Sequence, residues 1–267
     1  PEPGYPVYRD GTYFAGGIPE FMPLLEENDY FPDLEYHLKG NKPKIVWINY
    51  PNNPTSAPPN RDFYKRVIEL AHTHNFIIAS DAAYTEIYKN GTEKPFSIFE
   101  FEGSRDVAIE FHSFSKMFNM TGWRVGFAVG NEKFITGLGK IKKSIDSGVY
   151  GGIQFAAIKG LSDYTDEIEK GSEGQLHRLR DKYFTRRENI SKVLPDLGLD
   201  PYPTNTTFYV WSKILDGMTS KEKVADLLEK RGILCSPGTG FGISGEGYVR
   251  FSLTSPDKDI EDLKEVI

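Results

Sequence analysis

Apolar residues in this chain fall in short blocks separated by turn residues. Lys44-Ile-Val-Trp-Ile-Asn-Tyr50 carries a continuous apolar run and predicts a buried strand. Pro51-Asn-Asn-Pro-Thr-Ser-Ala-Pro-Pro59 follows as a loop. Asn60 then caps a helix whose apolar face is Phe63, Val67, Ile68, Leu70 and Ala71. Phe76–Ala79 predicts a second strand ending at Asp81, and Val107–Phe111 a third. Arg124–Val129 predicts a fourth, antiparallel because so short a connection precedes it. Strands that alternate with helices predict an α/β sheet. Polar residues gather just past the strand ends, where open sheets of this kind place their ligands.

The pattern changes in the second half. Residues 162–174 turn polar, and then Leu176, Leu179, Tyr183, Ile190, Val193 and Leu194 recur at helical spacing up to Pro195. Arg178, Arg180, Lys182, Arg186 and Arg187 on the same helix are expected to form a solvated face. Thr207–Trp211 is strand-like, and Thr219-Ser-Lys-Glu222 is a capping box opening a helix with Val224, Leu227 and Leu228 that stops at Gly232. Tyr248–Leu253 alternates like a half-buried strand. Ser255-Pro256 starts a last helix through Ile260, Leu263 and Val266. The expected division is a mostly parallel large domain over residues 1–172 and a small α+β domain over residues 173–267.

Bulk properties narrow the partners. The 267 residues, 39% hydrophobic and 26% charged, suit a globular protein of one or two domains. A net charge of −6 without a basic run gives no footprint for nucleic acid or an anionic membrane. No apolar run approaches membrane-spanning length. The single cysteine, Cys235, has no internal disulfide partner, which fits a reducing, cytoplasmic setting. The chain opens on Pro1-Glu-Pro-Gly-Tyr-Pro6 without an initiator methionine, so upstream residues are expected to be missing.

Four places carry candidate chemistry. Lys116 ends Ser113-Phe-Ser-Lys116 directly after the third strand, with Gly122-Trp-Arg-Val-Gly126 beyond it. A lysine held rigidly at a strand end can condense with an aldehyde, and Ser113, Ser115 and Arg124 can hold a phosphate. Most lysines are surface charges, and it is the glycines and Arg124 that lift this one above that reading. Asp81 ends the second strand, where its carboxylate can hold a pyridinium or merely cap the next turn. Tyr84 follows three residues later. Asn53 can donate to a ring oxygen and to a carboxylate, or serve only the turn chemistry of an Asn-Pro pair. Arg250 sits mid-strand, either as a bidentate carboxylate clamp or as an outward charge. His112 reads as a packing histidine. His72 and His74 lie two apart on a helix, too poorly aligned for a metal. Ser236–Gly242 reads as a flexible glycine loop.

Asn53-Pro-Thr, Asp81-Ala-Ala-Tyr84, Ser113-Phe-Ser-Lys116 with Arg124, and Tyr-Val-Arg250-Phe-Ser stand in an order that resembles the class I/II aminotransferases. These are fold-type I pyridoxal-phosphate enzymes. Pro3-Gly-Tyr-Pro-Val-Tyr8 and Tyr50-Pro-Asn-Asn-Pro-Thr-Ser56 look most like the LL-diaminopimelate aminotransferase-like members. The resemblance implies pyridoxal 5′-phosphate as cofactor, with Lys116 joined to its aldehyde. It implies Asp81 on the ring nitrogen, Tyr84 and Asn53 on O3′, and Ser113, Ser115 and Arg124 on the phosphate. Arg250 is then the substrate carboxylate clamp. The implied reaction moves an amino group from an amino acid to a 2-oxo acid, with LL-diaminopimelate and 2-oxoglutarate as the pair in lysine biosynthesis, and the implied assembly is a homodimer. Carbon–sulfur lyases and other fold-type I enzymes share these residues, and a non-catalytic remnant is the remaining alternative. Family members also carry an N-terminal portion of roughly a hundred residues that this chain does not show.

Overall fold

The computed structural model describes residues 1–262. Leu263 and Val266 of the expected last helix lie outside the described residues; its described part is Asp257–Asp262. The chain divides into two compact units, neither continuous in sequence. One comprises residues 38–51 and 59–180, the other residues 1–37, 52–58 and 181–267.

The unit of residues 38–51 and 59–180 is built on a four-stranded sheet of β1 (Ile45–Asn49), β2 (Ile77–Asp81), β3 (Ala108–Ser113) and β4 (Gly126–Gly130), in that spatial order. The β1–β2 and β2–β3 pairs are parallel, and β3–β4 is antiparallel, as the short connection requires. Asn49, Asp81, Phe111 and Ala128 stand abreast across the four strands. The helix Arg61–His74 packs against β2. Asn60 caps it by accepting hydrogen bonds from the backbone N–H groups of Asp62 and Phe63, both at 2.9 Å.

Two details of this unit differ from the sequence pattern. Tyr64, not Phe63, is the buried aromatic of that helix, with ring centroids 5.2 Å from Phe96 and 5.6 Å from Phe101. Phe63 is half-buried, edge-on to Tyr50. β1 is not buried throughout: Val46 and Ile48 are covered, whereas Ile45 is exposed. β1 has a strand neighbour on one side only, so an apolar run alone does not reveal how much of it is covered.

The other unit holds an antiparallel sheet of β5 (Leu199–Pro201), β6 (Tyr209–Ile214), β7 (Ser236–Pro237) and β8 (Tyr248–Ser252), ordered β5-β6-β8-β7. The Thr219 capping box and the Gly232 stop of helix Ser220–Arg231 are both formed. Ser236–Gly242 is not a flexible loop: it is strand β7 followed by a turn of 3₁₀ helix. Gly238 and Gly245 face each other there so closely that a Cβ on either would strike the other's backbone.

The helix Gln175–Val193 overturns part of the expected solvated face: Arg178 and Lys182 are exposed, but the other three arginines are not. Arg180 is 4% exposed and Arg187 7%, and Arg186 is also buried. Arg186 pairs with Asp257, while Arg187 Nη2 donates to the carbonyls of Thr206, Thr207 and Tyr209 at 2.9, 3.3 and 2.5 Å. Burial without a carboxylate pushes the Arg187 guanidinium down to about 10. Charge counted along a helix cannot reveal that the neighbouring chain supplies carbonyl acceptors.

Candidate functional site

The lysine turn is formed by local capping. Ser113 ends β3 and caps the single helical turn Phe114–Met117, its Oγ accepting from the Ser115 N–H at 3.2 Å. That turn carries Lys116 past the carboxyl end of the parallel strands. The Thr121 hydroxyl donates to the Ser115 carbonyl at 3.0 Å and ties the turn to the segment before β4. β4 approaches β3 so closely that a Cβ at Gly126 would lie 2.5 Å from the His112 carbonyl.

Beside this turn, β2 delivers Asp81 and the buried Tyr84. Asp81 Oδ1 accepts from the Ala83 N–H at 3.2 Å, so the turn contact weighed for it does form. Its main-chain carbonyl is held by Asn49 Nδ2 at 2.8 Å. Lys116 Nζ lies 5.7 Å from the centroid of the Tyr84 ring. Asp81, Tyr84, Ser113, Ser115, Lys116 and Arg124 therefore all belong to one unit, on the β2 and β3 ends and the segment that follows. Arg124 is exposed, has φ 54°, and its Nη1 donates to the Thr121 carbonyl at 2.9 Å.

The buried support behind the turn is Glu110, which is 1% exposed. Its carboxylate accepts from Ser97 Oγ at 2.7 Å, the Ile98 N–H at 3.0 Å and Ser80 Oγ at 3.2 Å, and lies 2.9 Å from His112 Nε2. Burial opposes the ionised form, but His112, Ile98 and Ser97 outweigh it and hold the carboxyl below its ordinary range. His112 also stacks on Phe127, with centroids 4.8 Å apart. It is a packing histidine, as expected.

Asn53 and Arg250 belong to the other unit. Arg250 Nη1 donates to Asn53 Oδ1 at 2.6 Å. Its guanidinium carbon lies 4.0 Å from the centroid of the Tyr209 ring and 4.5 Å from that of Phe241. Arg250 is thus not an outward charge; β8 holds it half-buried against two rings. The loop bearing Asn53 is pinned from both sides of Ser56. Its hydroxyl lies 2.6 Å from Thr207 Oγ1 and donates to the Tyr209 carbonyl, while Thr204 and Thr206 donate to its own carbonyl. Tyr209 and Phe241 are the residues missed by sequence reasoning. For Tyr209 a signal existed, since two positions along a strand returns to the same face as Trp211, the register partner of Arg250. Phe241 comes from the 3₁₀ turn Gly238–Phe241, and no periodicity reports it.

Comparisons with known proteins place the chain in a family. A model of the aminotransferase class I and II family matches residues 1–267. The chain belongs to that family. An LL-diaminopimelate aminotransferase from Aquifex aeolicus is 50% identical, over 100% of this chain and 67% of its own. One from Nitratidesulfovibrio vulgaris is 45% identical, over 97% of this chain and 66% of its own. The aromatic aminotransferase of Pyrococcus horikoshii superposes with a TM-score of 0.89 at 29% identity, covering 100% of this chain and 70% of that one. The chain spans about two thirds of the length of the curated relatives it matches. Among the described residues, no helix is long and apolar enough to cross a membrane.

Proposed function

We propose that the complete protein is a pyridoxal-phosphate-dependent aminotransferase that takes LL-diaminopimelate as amino donor and 2-oxoglutarate as acceptor. The observation that carries the reading is Lys116 Nζ 5.7 Å from the centre of the Tyr84 ring, on the turn that follows β3. The substrate pair rests on the named relatives. The donor set fits the cofactor. There is a carboxylate at Asp81 for a ring N–H, a phenol at Tyr84 for a ring oxygen, an amine at Lys116, and hydroxyls and a guanidinium at Ser113, Ser115 and Arg124 for a phosphate.

Pyridoxal phosphate, when bound, supplies an aldehyde for the amine and an electron-poor ring that tolerates negative charge at the substrate α-carbon. The work of the chain's own residues follows. Lys116 Nζ, as a free amine, would take the proton from the substrate α-carbon. Asp81 offers its carboxylate to a ring N–H. Arg250, oriented by Asn53 and the rings of Tyr209 and Phe241, takes the substrate α-carboxylate. The family further supports a homodimer. Exposed Ile145, Tyr150, Phe155 and Ile158 leave apolar surface for such a contact. The cytoplasm is the setting that a lone buried Cys235 fits.

Borohydride reduction of the cofactor-loaded protein, then peptide mass mapping, tests the reading. A phosphopyridoxyl group on Lys116, absent from Lys116→Ala, is expected, together with glutamate formed from 2-oxoglutarate when LL-diaminopimelate is the donor. No adduct would sink the cofactor reading. An adduct without glutamate would sink the transaminase reading alone.

A further inference from the structure

Two residues past Tyr84 lies a buried polar cluster that the reaction as described leaves unused. Glu86 is 8% exposed. Its Oε1 lies 2.7 Å from Lys94 Nζ, and its Oε2 accepts from Arg180 Nη2 at 2.8 Å and from the Tyr164 hydroxyl at 2.7 Å. Arg180 also reaches the main chain, its Nε donating to the Glu86 carbonyl at 2.8 Å. The same guanidinium lies 3.9 Å from the centroid of the Tyr88 ring. Asn90 Nδ2 donates to the His177 carbonyl at 2.9 Å. Residues 86, 88 and 90 are therefore each fastened to residues 177–180.

A buried ion pair is poor value as a stabiliser, because desolvation of both ions offsets their attraction, and apolar side chains of similar volume often do as well. Such a pair gives fixed geometry instead. Arg180 grips both the side chain and the backbone of Glu86, so it determines where the main chain stands two residues after Tyr84. The Tyr84 ring is the surface over which the Lys116 amine sits.

We propose that Glu86 and Arg180 are positioning residues for Tyr84, setting the phenol against Lys116 and hence against the cofactor ring. The inference rests on the cofactor reading given above. Arg180→Lys would keep the charge but lose both the Nε donation to the Glu86 carbonyl and the flat stacking on Tyr88.

The test is the pH titration of visible absorbance in the complete, cofactor-loaded protein, for Glu86→Gln, Arg180→Lys, Tyr84→Phe and the double variant Glu86→Gln/Tyr84→Phe. Glu86→Gln keeps the shape of the site but leaves the buried Arg180 charge without its carboxylate, so each titration is paired with a far-UV circular dichroism spectrum that must match the parent's. The expected result is a midpoint shift for Glu86→Gln and Arg180→Lys in the same direction as Tyr84→Phe, on the order of half a pH unit. The double variant should match Tyr84→Phe alone, because residues acting through one group are not additive. An unchanged midpoint in Glu86→Gln, or a double variant whose shift is the sum of the singles, would overturn the proposal. A parent protein without a visible chromophore would instead bring down the cofactor reading, and this inference with it.

Discussion

Arg124 and Arg250 share a charge and a proposed task, holding an anion, but little else. Arg124 follows a short turn, is exposed, and has one hydrogen bond, to a carbonyl three residues back. Arg250 stands mid-strand on β8 with an amide oxygen at 2.6 Å and aromatic centroids at 4.0 and 4.5 Å. The difference teaches where ordering entropy is met. An arginine side chain loses up to about 2 kcal/mol of rotamer freedom when it is fixed. Folding has already fixed Arg250, so an arriving carboxylate has little left to order. Arg124 must still be ordered by whatever it binds. A pre-set plane suits selection among substrates that come and go; an adaptable arm suits a phosphate that stays.

Substitutions that remove one arm at a time should break this symmetry of charge. Arg250→Ala should be the most damaging. We expect kcat/KM for the amino donor to fall roughly 10²–10³-fold, about 3–4 kcal/mol, mostly through KM. Arg250→Lys should recover little, since an ammonium has no planar fork; recovery to within tenfold would show that charge alone suffices. Arg124→Ala should weaken cofactor binding by about tenfold, near 1.5 kcal/mol, in equilibrium dialysis. There Arg124→Lys should recover most of the loss, because an exposed arm can bring its charge to the phosphate in either case. Tyr209→Leu should cost about 1 kcal/mol in donor KM with kcat nearly unchanged. A fall in kcat alone would mean that the ring does not act through Arg250.

What could be read from the sequence follows the same division. The strand ends that carry Asp81 and lead to Lys116, and the strand that bears Arg250, were legible because alternation is a local pattern, and Asn60 and Thr219 because caps are local chemistry. Partners were not legible. Arg180 and Arg187 looked like solvated charges, because burial on a polar helix depends on Glu86 and on the carbonyls of residues 206–209, neither of which leaves a trace at helical spacing. The same holds for Phe241 beside Arg250. The glycines of Ser236–Gly242 suggested flexibility, whereas Gly238 is there for a close backbone approach. Composition reports which conformations are allowed, and packing decides which one is used.

The smallest expected effect on activity concerns the base on which the Lys116 turn stands. Glu110 lies on β3 and gathers donors from β2 and from the Ser97–Ile98 turn, so it ties together the strands that lead to the Lys116 turn. Its folded-state carboxyl titrates below the ordinary value of 4.5. A depressed folded pKa means that ionisation favours the native state. The contribution is complete above the unfolded value and is lost as pH falls through the folded one. Urea midpoints of the parent should therefore drop more steeply below about pH 4.5 than those of Glu110→Gln. The gap between the two proteins, on the order of 1–2 kcal/mol at pH 7, should narrow as pH falls. Parallel curves would mean that other carboxylates govern acid unfolding. Cofactor affinity should weaken in Glu110→Gln before donor KM does, because Glu110 supports the strand that leads into the Lys116 turn, through Ser80, Ser97, Ile98 and His112. A change in donor KM of the Arg250→Ala size would show instead that the two arginines share one support.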